Sequence, residues 1–265
     1  MSRSVVPVPV RTIESGHDEQ RLDVVAVEEP LEIRVGGSVV SITMRTPGND
    51  AELAAGFLFA EGLLRSCAEI GAVRQVNPNS IEFELRPDVE PDLERLKRNF
   101  YMTSSCGVCG KASLEALEMA GCPMLPGEAP TVDAAMLYGL PDTLRESQAA
   151  FDQTGGLHAA ALFDFEGRRL AVREDVGRHN AVDKLIGGEF LAGRTPLSDR
   201  LLMVSGRASF ELIQKALMAG IPILAAVGAP SSLAVHLALR FRMTLIGFLR
   251  GRRFNVYSGA ARVRA

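Results

Sequence analysis

Residues 201–249 read LLMVSGRASFELIQKALMAGIPILAAVGAPSSLAVHLALRFRMTLIGFL. An apolar run at 201–204 leads through Ser205-Gly206-Arg207 into a helical segment that starts near Phe210. That segment ends at Gly220, the residue type favoured just past a helix C-terminus. A second apolar run spans 221–227, a helix pattern 232–240, and a third run 243–249. Strands alternating with helices specify a layered α/β domain with a mixed, mostly parallel sheet. The unbroken apolar runs Leu201-Leu202-Met203-Val204 and Leu224-Ala225-Ala226-Val227 fit strands buried on both faces. Pro222, Gly228, Pro230, His236 and Arg240 interrupt the window 221–241, so it is not read as a membrane span, which needs ~20 predominantly apolar residues.

Upstream, 157–163 reads as a strand that Glu166-Gly167 turns toward a second strand at 170–173. A helix follows over 181–191, with Val182, Leu185, Ile186 and Phe190 on one face. Nearer the N-terminus, Leu31, Ile33 and Val35 alternate with polar residues, Gly36-Gly37 turns the chain, and 39–44 returns, a hairpin pattern. Asn49 and Glu52 have capping-box spacing, and Leu53, Phe57, Ala60 and Leu64 form an apolar stripe behind them. Short strands are expected around Val73 and over 81–85. The chain thus divides into a flexible arm (1–20), a small α+β subdomain (21–100) and an α/β domain (101–265).

The 265 residues are 47% hydrophobic and 23% charged, with a formal net charge of -3. That composition is ordinary for a globular protein and excludes a generic basic coat for nucleic acid. The N-terminal residues lack the apolar core of a secretion signal. A cytoplasmic location without a disulfide framework is therefore expected.

Two of the four cysteines form Ser105-Cys106-Gly107-Val108-Cys109-Gly110, followed by Lys111 and a helical pattern. Helix N-terminal amides and a nearby cation both favour thiolate, and the flanking glycines leave the sulfurs accessible. A structural zinc site lacks a second paired spacing to complete four ligands, so no metal is expected. A thioredoxin-like dithiol would stand early in a βαβ unit. A pair of inert loop cysteines is the third reading. Cys67 and Cys122, without a comparable cationic neighbour, are expected to be dispensable.

Three further stretches carry charge at strand ends, where α/β sheets bind ligands. Arg178 and His179 precede a helix that Asn180 is placed to cap; Asp175 could simply pair with Arg178. Ser205-Gly206-Arg207 joins a buried strand to a helix, where a plain βα turn is the alternative. Phe248, Leu249, Arg250, Gly251, Arg252 and Arg253 form a basic turn. Its guanidinium groups suit phosphate oxygens, unless it is merely a solvated charged turn.

Taken together, several collinear stretches resemble the FdhD family of formate dehydrogenase accessory sulfurtransferases. They are Arg45-Thr46-Pro47-Gly48-Asn49-Asp50 with Gly56-Phe57-Leu58-Phe59-Ala60-Glu61-Gly62; the Cys106/Cys109 loop; Thr154-Gly155-Gly156-Leu157-His158; the stretch from Glu174 to Lys184; Val204-Ser205-Gly206-Arg207; and the stretch from Gly247 to Tyr257. The resemblance implies transfer of sulfur from a cysteine desulfurase to the Mo-bis(molybdopterin guanine dinucleotide) cofactor of a formate dehydrogenase catalytic subunit. Cys106 would carry the persulfide beside Cys109, and residues 248–253 would bind the cofactor, with GDP as a fragment ligand. It also implies a homodimer and a cytidine-deaminase-like larger domain. Deaminase chemistry is not expected: His158-Ala159-Ala160 has alanine where the deaminase's glutamate would stand, Ser105 replaces its proline, and the two motifs are reversed in order. A thiol–disulfide oxidoreductase and a non-catalytic cofactor-binding chaperone remain as alternatives.

Overall fold

The computed structural model describes residues 4–90, 122–127 and 129–265. Cys106, Cys109 and Lys111 lie outside the described residues.

The irregular arm expected over residues 1–20 is instead most of a two-stranded antiparallel ribbon, β1 (Val5–Glu14) and β2 (His17–Ala26). Ser15 and Gly16, both at positive φ, close its tight turn, and such left-handed pairs match the twist of a hairpin. Prolines and charges disguise the ribbon in the sequence, but both are tolerated where a strand has a free edge.

The hairpin around Gly36-Gly37 forms as the sequence indicates, with β3 (Glu29–Val35) and β4 (Ser38–Arg45) joined by glycines at φ 56° and 81°. Helix α1 (Asp50–Ala60) follows, then β5 (Ile70–Asn77) and β6 (Ser80–Leu85). These strands make a four-stranded sheet in the order β4-β3-β6-β5. Two expectations for α1 fail. Asn49 sits in the left-handed region and its side chain makes no cap; Glu52 instead reaches Arg173. Nor is there one apolar stripe: Leu53, Leu58 and Phe59 are buried while Phe57 is only partly so. A helix sandwiched between two layers buries more than one face.

The remaining elements are β7 (Val132–Asp133), α2 (Ala134–Leu137), α3 (Leu140–Arg145), α4 (Ala149–Thr154), β8 (His158–Phe163) and β9 (Arg169–Asp175). Then come α5 (Arg178–Leu191), β10 (Leu201–Val204), α6 (Phe210–Met218), β11 (Ile223–Ala226), α7 (Ser232–Arg240), β12 (Thr244–Arg250), β13 (Arg253–Ser258) and β14 (Val263–Arg264). Six of these strands form a sheet in the order β13-β12-β11-β10-β8-β9. The sheet is mixed but not mostly parallel. Only β10/β11 and β11/β12 are parallel, whereas β8/β9, β8/β10 and β12/β13 are antiparallel. The sequence signal missed this because buried antiparallel strands show the same unbroken apolar runs as parallel ones.

Period-two alternation divides the sheet between two cores. Ala160, Leu162, Leu202, Val204, Leu224 and Ala226 face the core shared with α5, α6, α7, α1 and the four-stranded sheet. Ala159, Ala161, Phe163, Leu201, Met203, Ile223 and Ala225 face the smaller core under α2 and α3. Between the two sheets, α1 crosses α5 at glycines. A Cβ on Gly56 would stand 1.9 Å from the Asp183 carbonyl oxygen, and one on Gly187 1.8 Å from that of Glu52. Such backbone contact leaves no space for even a methyl group. Alongside the crossing, Phe59 and Phe190 stack with centroids 4.8 Å apart.

Candidate functional site

Sheet topology gathers the candidate residues. The parallel strands β10, β11 and β12 end at one edge of the six-stranded sheet. Since β8 runs antiparallel to β10, its first residue, His158, lies at that edge too. His158 pairs with Asp175, so the end of β9 and the start of α5 arrive there as well. The loops at this edge are bonded to one another. Gly228 N–H donates to Gly206 O (3.0 Å), Ala208 N–H to Ala229 O (3.1 Å) and Phe248 N–H to Gly228 O (3.0 Å). Gly228 permits this packing, because a Cβ there would stand 2.9 Å from Gly206 O.

Within the basic turn, Phe248 and Leu249 do not simply finish a regular strand. Ile246 and Leu249 both face the smaller core, although residues three apart on a regular strand face opposite sides. The change of phase occurs at Phe248, which sits at φ 54°, where the β12/β13 register shifts. It is a bulge that re-aims the residues after it. A bulky residue in left-handed backbone is strained, and such strain tends to collect at binding sites. Phe248 is left 41% exposed while Leu249 is fully buried. Arg250, Gly251, Arg252 and Arg253 are exposed. Arg250 Nε donates to Val227 O (3.3 Å), tying it to the loop after β11, and the Arg252 guanidinium lies 5.9 Å from the Tyr138 ring centroid.

At the other end of the edge, the alternative reading of an Asp175–Arg178 pair does not hold. The fully buried Asp175 carboxylate accepts from Lys184 Nζ (2.7 Å), Thr46 N–H (3.1 Å), Gly177 N–H (2.8 Å) and Asn180 Nδ2 (2.9 Å). Asn180 is not the N-cap; Gly177 is, and α5 already starts at Arg178. Arg178 Nε is buried with no hydrogen-bond partner among the described residues. His179 Nε2 lies 2.9 Å from a Glu211 carboxylate oxygen and 3.1 Å from Ser209 Oγ, which itself donates to Glu211 (3.1 Å). The bond from His179 holds the Glu211 carboxyl below its ordinary range, against the opposing effect of burial. The His158 ring packs on Gly206, where a Cβ would come within 3.3 Å of Nδ1. Partial burial, and then the charges of Arg178, His179 and Arg207, push the His158 imidazole below its ordinary value, with Asp175 opposing. The His158 ring is thereby held toward its neutral form.

His158, Ser209 and Glu211 are members of this edge that sequence reasoning did not assign to it. For His158 the signals are its place after Gly155-Gly156 at a strand start and its membership of the Thr154–His158 stretch that resembles the family. Among the described residues no cluster of His, Cys, Asp and Glu could hold a metal ion, and no helix is long and apolar enough to cross a membrane.

This is a mixed α/β protein with a glycine-packed, guanidinium-lined edge at its strand ends. The chain belongs to the FdhD/NarQ family, whose model matches residues 26–264. It is 52% identical over 266 residues to the sulfur carrier protein FdhD of Mycobacterium tuberculosis, covering 96% of each chain. The FdhD protein of Streptomyces coelicolor is 53% identical over 262 residues, with 95% of this chain and 93% of that one covered. That of Sulfolobus acidocaldarius is 41% identical, with 97% of each covered. The fold is similar to a crystal structure from Desulfotalea psychrophila described as a formate dehydrogenase accessory protein. The TM-score there is 0.79 at 27% identity, over 99% of this chain and 100% of that one.

Proposed function

We propose that this protein is a sulfur carrier serving formate dehydrogenase, with Cys106 as the carrying thiol. The observation that carries this reading is 52% identity to named sulfur carrier proteins over 96% of the chain. Carriage needs an accessible thiolate. Cys67 and Cys122 are partly buried and pack against the larger core, which leaves the glycine-flanked Cys106 and Cys109. In the proposed step the Cys106 thiolate attacks the terminal sulfur of a persulfide on a cysteine desulfurase. The sulfur–sulfur bond there breaks, the desulfurase cysteine leaves as its thiolate, and Cys106 holds the persulfide. Lys111 and the helical pattern after the pair would favour the attacking anion.

The acceptor in this reading is Mo-bis(molybdopterin guanine dinucleotide), a substrate rather than a resident cofactor. The turn fits its nucleotide end: Arg250, Arg252 and Arg253 are exposed guanidinium groups beside a bulged Phe248, suited to diphosphate oxygens. The same reading places the protein in the cytoplasm as a homodimer. It gives the six-stranded domain a cytidine-deaminase-like fold without deaminase chemistry, in keeping with Ala160 buried in β8 where a deaminase needs its glutamate.

The test is intact-protein mass after incubation with a desulfurase and cysteine. Wild type should gain about 32 Da, one sulfur atom on the attacking thiolate, and Cys106→Ala should not. An equal gain in Cys106→Ala would move the carrier elsewhere, and an activity loss in Cys122→Ser as severe as in Cys106→Ala would make the site larger than the pair.

A further inference from the structure

We propose that His158, Arg178, His179 and Arg207 form a second anion subsite, separate from the turn at 250–253, that takes a diphosphate group. Three observations carry it. First, cation-bearing elements gather from three separate places, the start of β8, the first turn of α5 and the loop after β10: the His158 ring packs on Gly206, and Arg178, His179 and Arg207 lie near enough to act on its charge. Second, the nearby carboxylates are already engaged. Asp175 is closed by Lys184, Asn180 and two backbone N–H groups, and Glu211 by His179 and Ser209. Among the described residues Arg178 and Arg207 make no ion pair or side-chain hydrogen bond, and Arg178 Nε is buried without a partner. A buried donor left unmet is costly, so an unmet one marks a place for an acceptor. Third, α5 is 14 residues long, opens at this point from Gly177 without a side-chain cap, and has no acidic residue in its first turn. Its N-terminal end adds to the positive potential.

The donor set favours diphosphate over carboxylate. Two guanidinium forks alone offer more donors than two carboxylate oxygens can accept, whereas a diphosphate presents oxygens on both phosphorus atoms. Three strand spacings separate β12 from β8, roughly 14 Å at ~4.8 Å each. The two subsites would therefore meet different anionic groups of one extended client. The source of the diphosphate rests on the proposed dinucleotide substrate; the subsite itself does not depend on sulfur transfer.

The four histidines provide a direct readout. His158 and His179 lie in the subsite, while His17 and His236 are exposed elsewhere and report on the fold. The experiment follows the imidazole C2–H resonances of the full chain during titration with inorganic diphosphate, and separately with GDP, against sodium chloride of equal ionic strength. The expected result is saturable movement of the His158 and His179 signals alone. Arg178→Ala and Arg207→Ala should each weaken it about tenfold or more, as loss of a charge-assisted bond implies, with His17 and His236 unchanged. Arg65→Ala, at an exposed arginine outside both basic groups, should leave the response to inorganic diphosphate intact. Tighter binding of GDP would identify a nucleotide as the source, and equal binding would identify the diphosphate group alone. If the His158 and His179 signals stay still, or move equally in the arginine variants, the subsite is overturned. A protein that shows these shifts yet never gains sulfur on Cys106 would overturn the carrier reading and leave the subsite standing.

Discussion

Helix α5 treats its charges differently in its middle and at its start. In the middle, Asp183 and Lys184 are almost wholly buried and closed. Asp183 receives both contacts from Lys215 Nζ (2.7 and 2.9 Å), and Lys184 Nζ meets Asp175 (2.7 Å) and the Thr46 carbonyl (2.8 Å). Burial alone would lower the Lys215 ammonium, but the Asp183 and Glu61 charges outweigh it and hold the group above its ordinary value. At the start of the same helix, Arg178 keeps a donor unmet beside His158, Arg207 and the Glu211-bound His179. The difference separates charges that hold the fold from charges available to a ligand. An interior charge must be paired, because desolvation without a partner costs several kcal/mol. At the strand ends, water serves the exposed Arg207 until an anion replaces it, while Arg178 Nε stays unmet among the described residues.

The largest expected effect comes from opening a closed pair. Lys184→Ala leaves the Asp175 carboxylate buried without its cation and should cost about 3–5 kcal/mol, read from chemical denaturation. A loss below about 1 kcal/mol would mean that the backbone and Asn180 donors around Asp175 suffice, and the contrast along α5 would weaken.

Next is the helix crossing that brings these pairs into register. Gly187→Ala would press a methyl group into the Glu52 carbonyl and should cost about 1–3 kcal/mol or somewhat more by overpacking. Calorimetric melting checks this, and unchanged stability would show that α1 can lift away from α5.

Opening the other region should barely touch the fold. Arg207 is exposed and unpaired among the described residues, so Arg207→Ala should leave stability within about 0.5 kcal/mol of wild type while reducing anion binding. A large destabilisation would make this arginine structural and erase the distinction. At the turn, Arg252→Ala or Arg253→Ala should weaken GDP binding in calorimetry, and added salt should weaken it further; equal affinity in all three proteins would move the nucleotide away from 250–253.

The smallest effect is a pH dependence. His158 has a folded-state value below its unfolded one, so below the unfolded value, near 6.5, the unfolded chain binds the extra proton more readily. Stability from this group is therefore full above that pH and declines as pH falls toward the folded value. His158→Gln should flatten this limb of the stability–pH curve. An unchanged limb would assign it to another group.

Much of this was legible in the sequence, and the misses have local causes. The helix 232–240 and the strands around Gly36-Gly37 follow from periodicity and turn residues. Asn49 and Glu52 have the spacing of a capping box, but Glu52 is drawn away by Arg173, a partner 121 positions distant. Asn180 looks like a cap and is instead a donor to Asp175 and to the Met44 carbonyl. In each case a long-range polar contact outcompeted a local one. The β1/β2 ribbon escaped because Pro7, Pro9 and its charges suit an edge as well as they suit a loop.

The sequence by itself determined the strand and helix inventory of residues 157–250, the glycines that end or turn those elements, and the set of cationic residues at strand ends. All of these depend on neighbours a few positions away, through steric limits on backbone angles and the two periods of side-chain direction. Only the tertiary structure decided that the β8/β9 pair lies beside β10 with β8 antiparallel to it, which carries His158 and Arg178 to the edge that holds Arg207 and Arg250. Strand order and direction follow from which apolar faces pack together across the whole chain. No local pattern encodes that choice, because a buried strand shows the same apolar run in either direction.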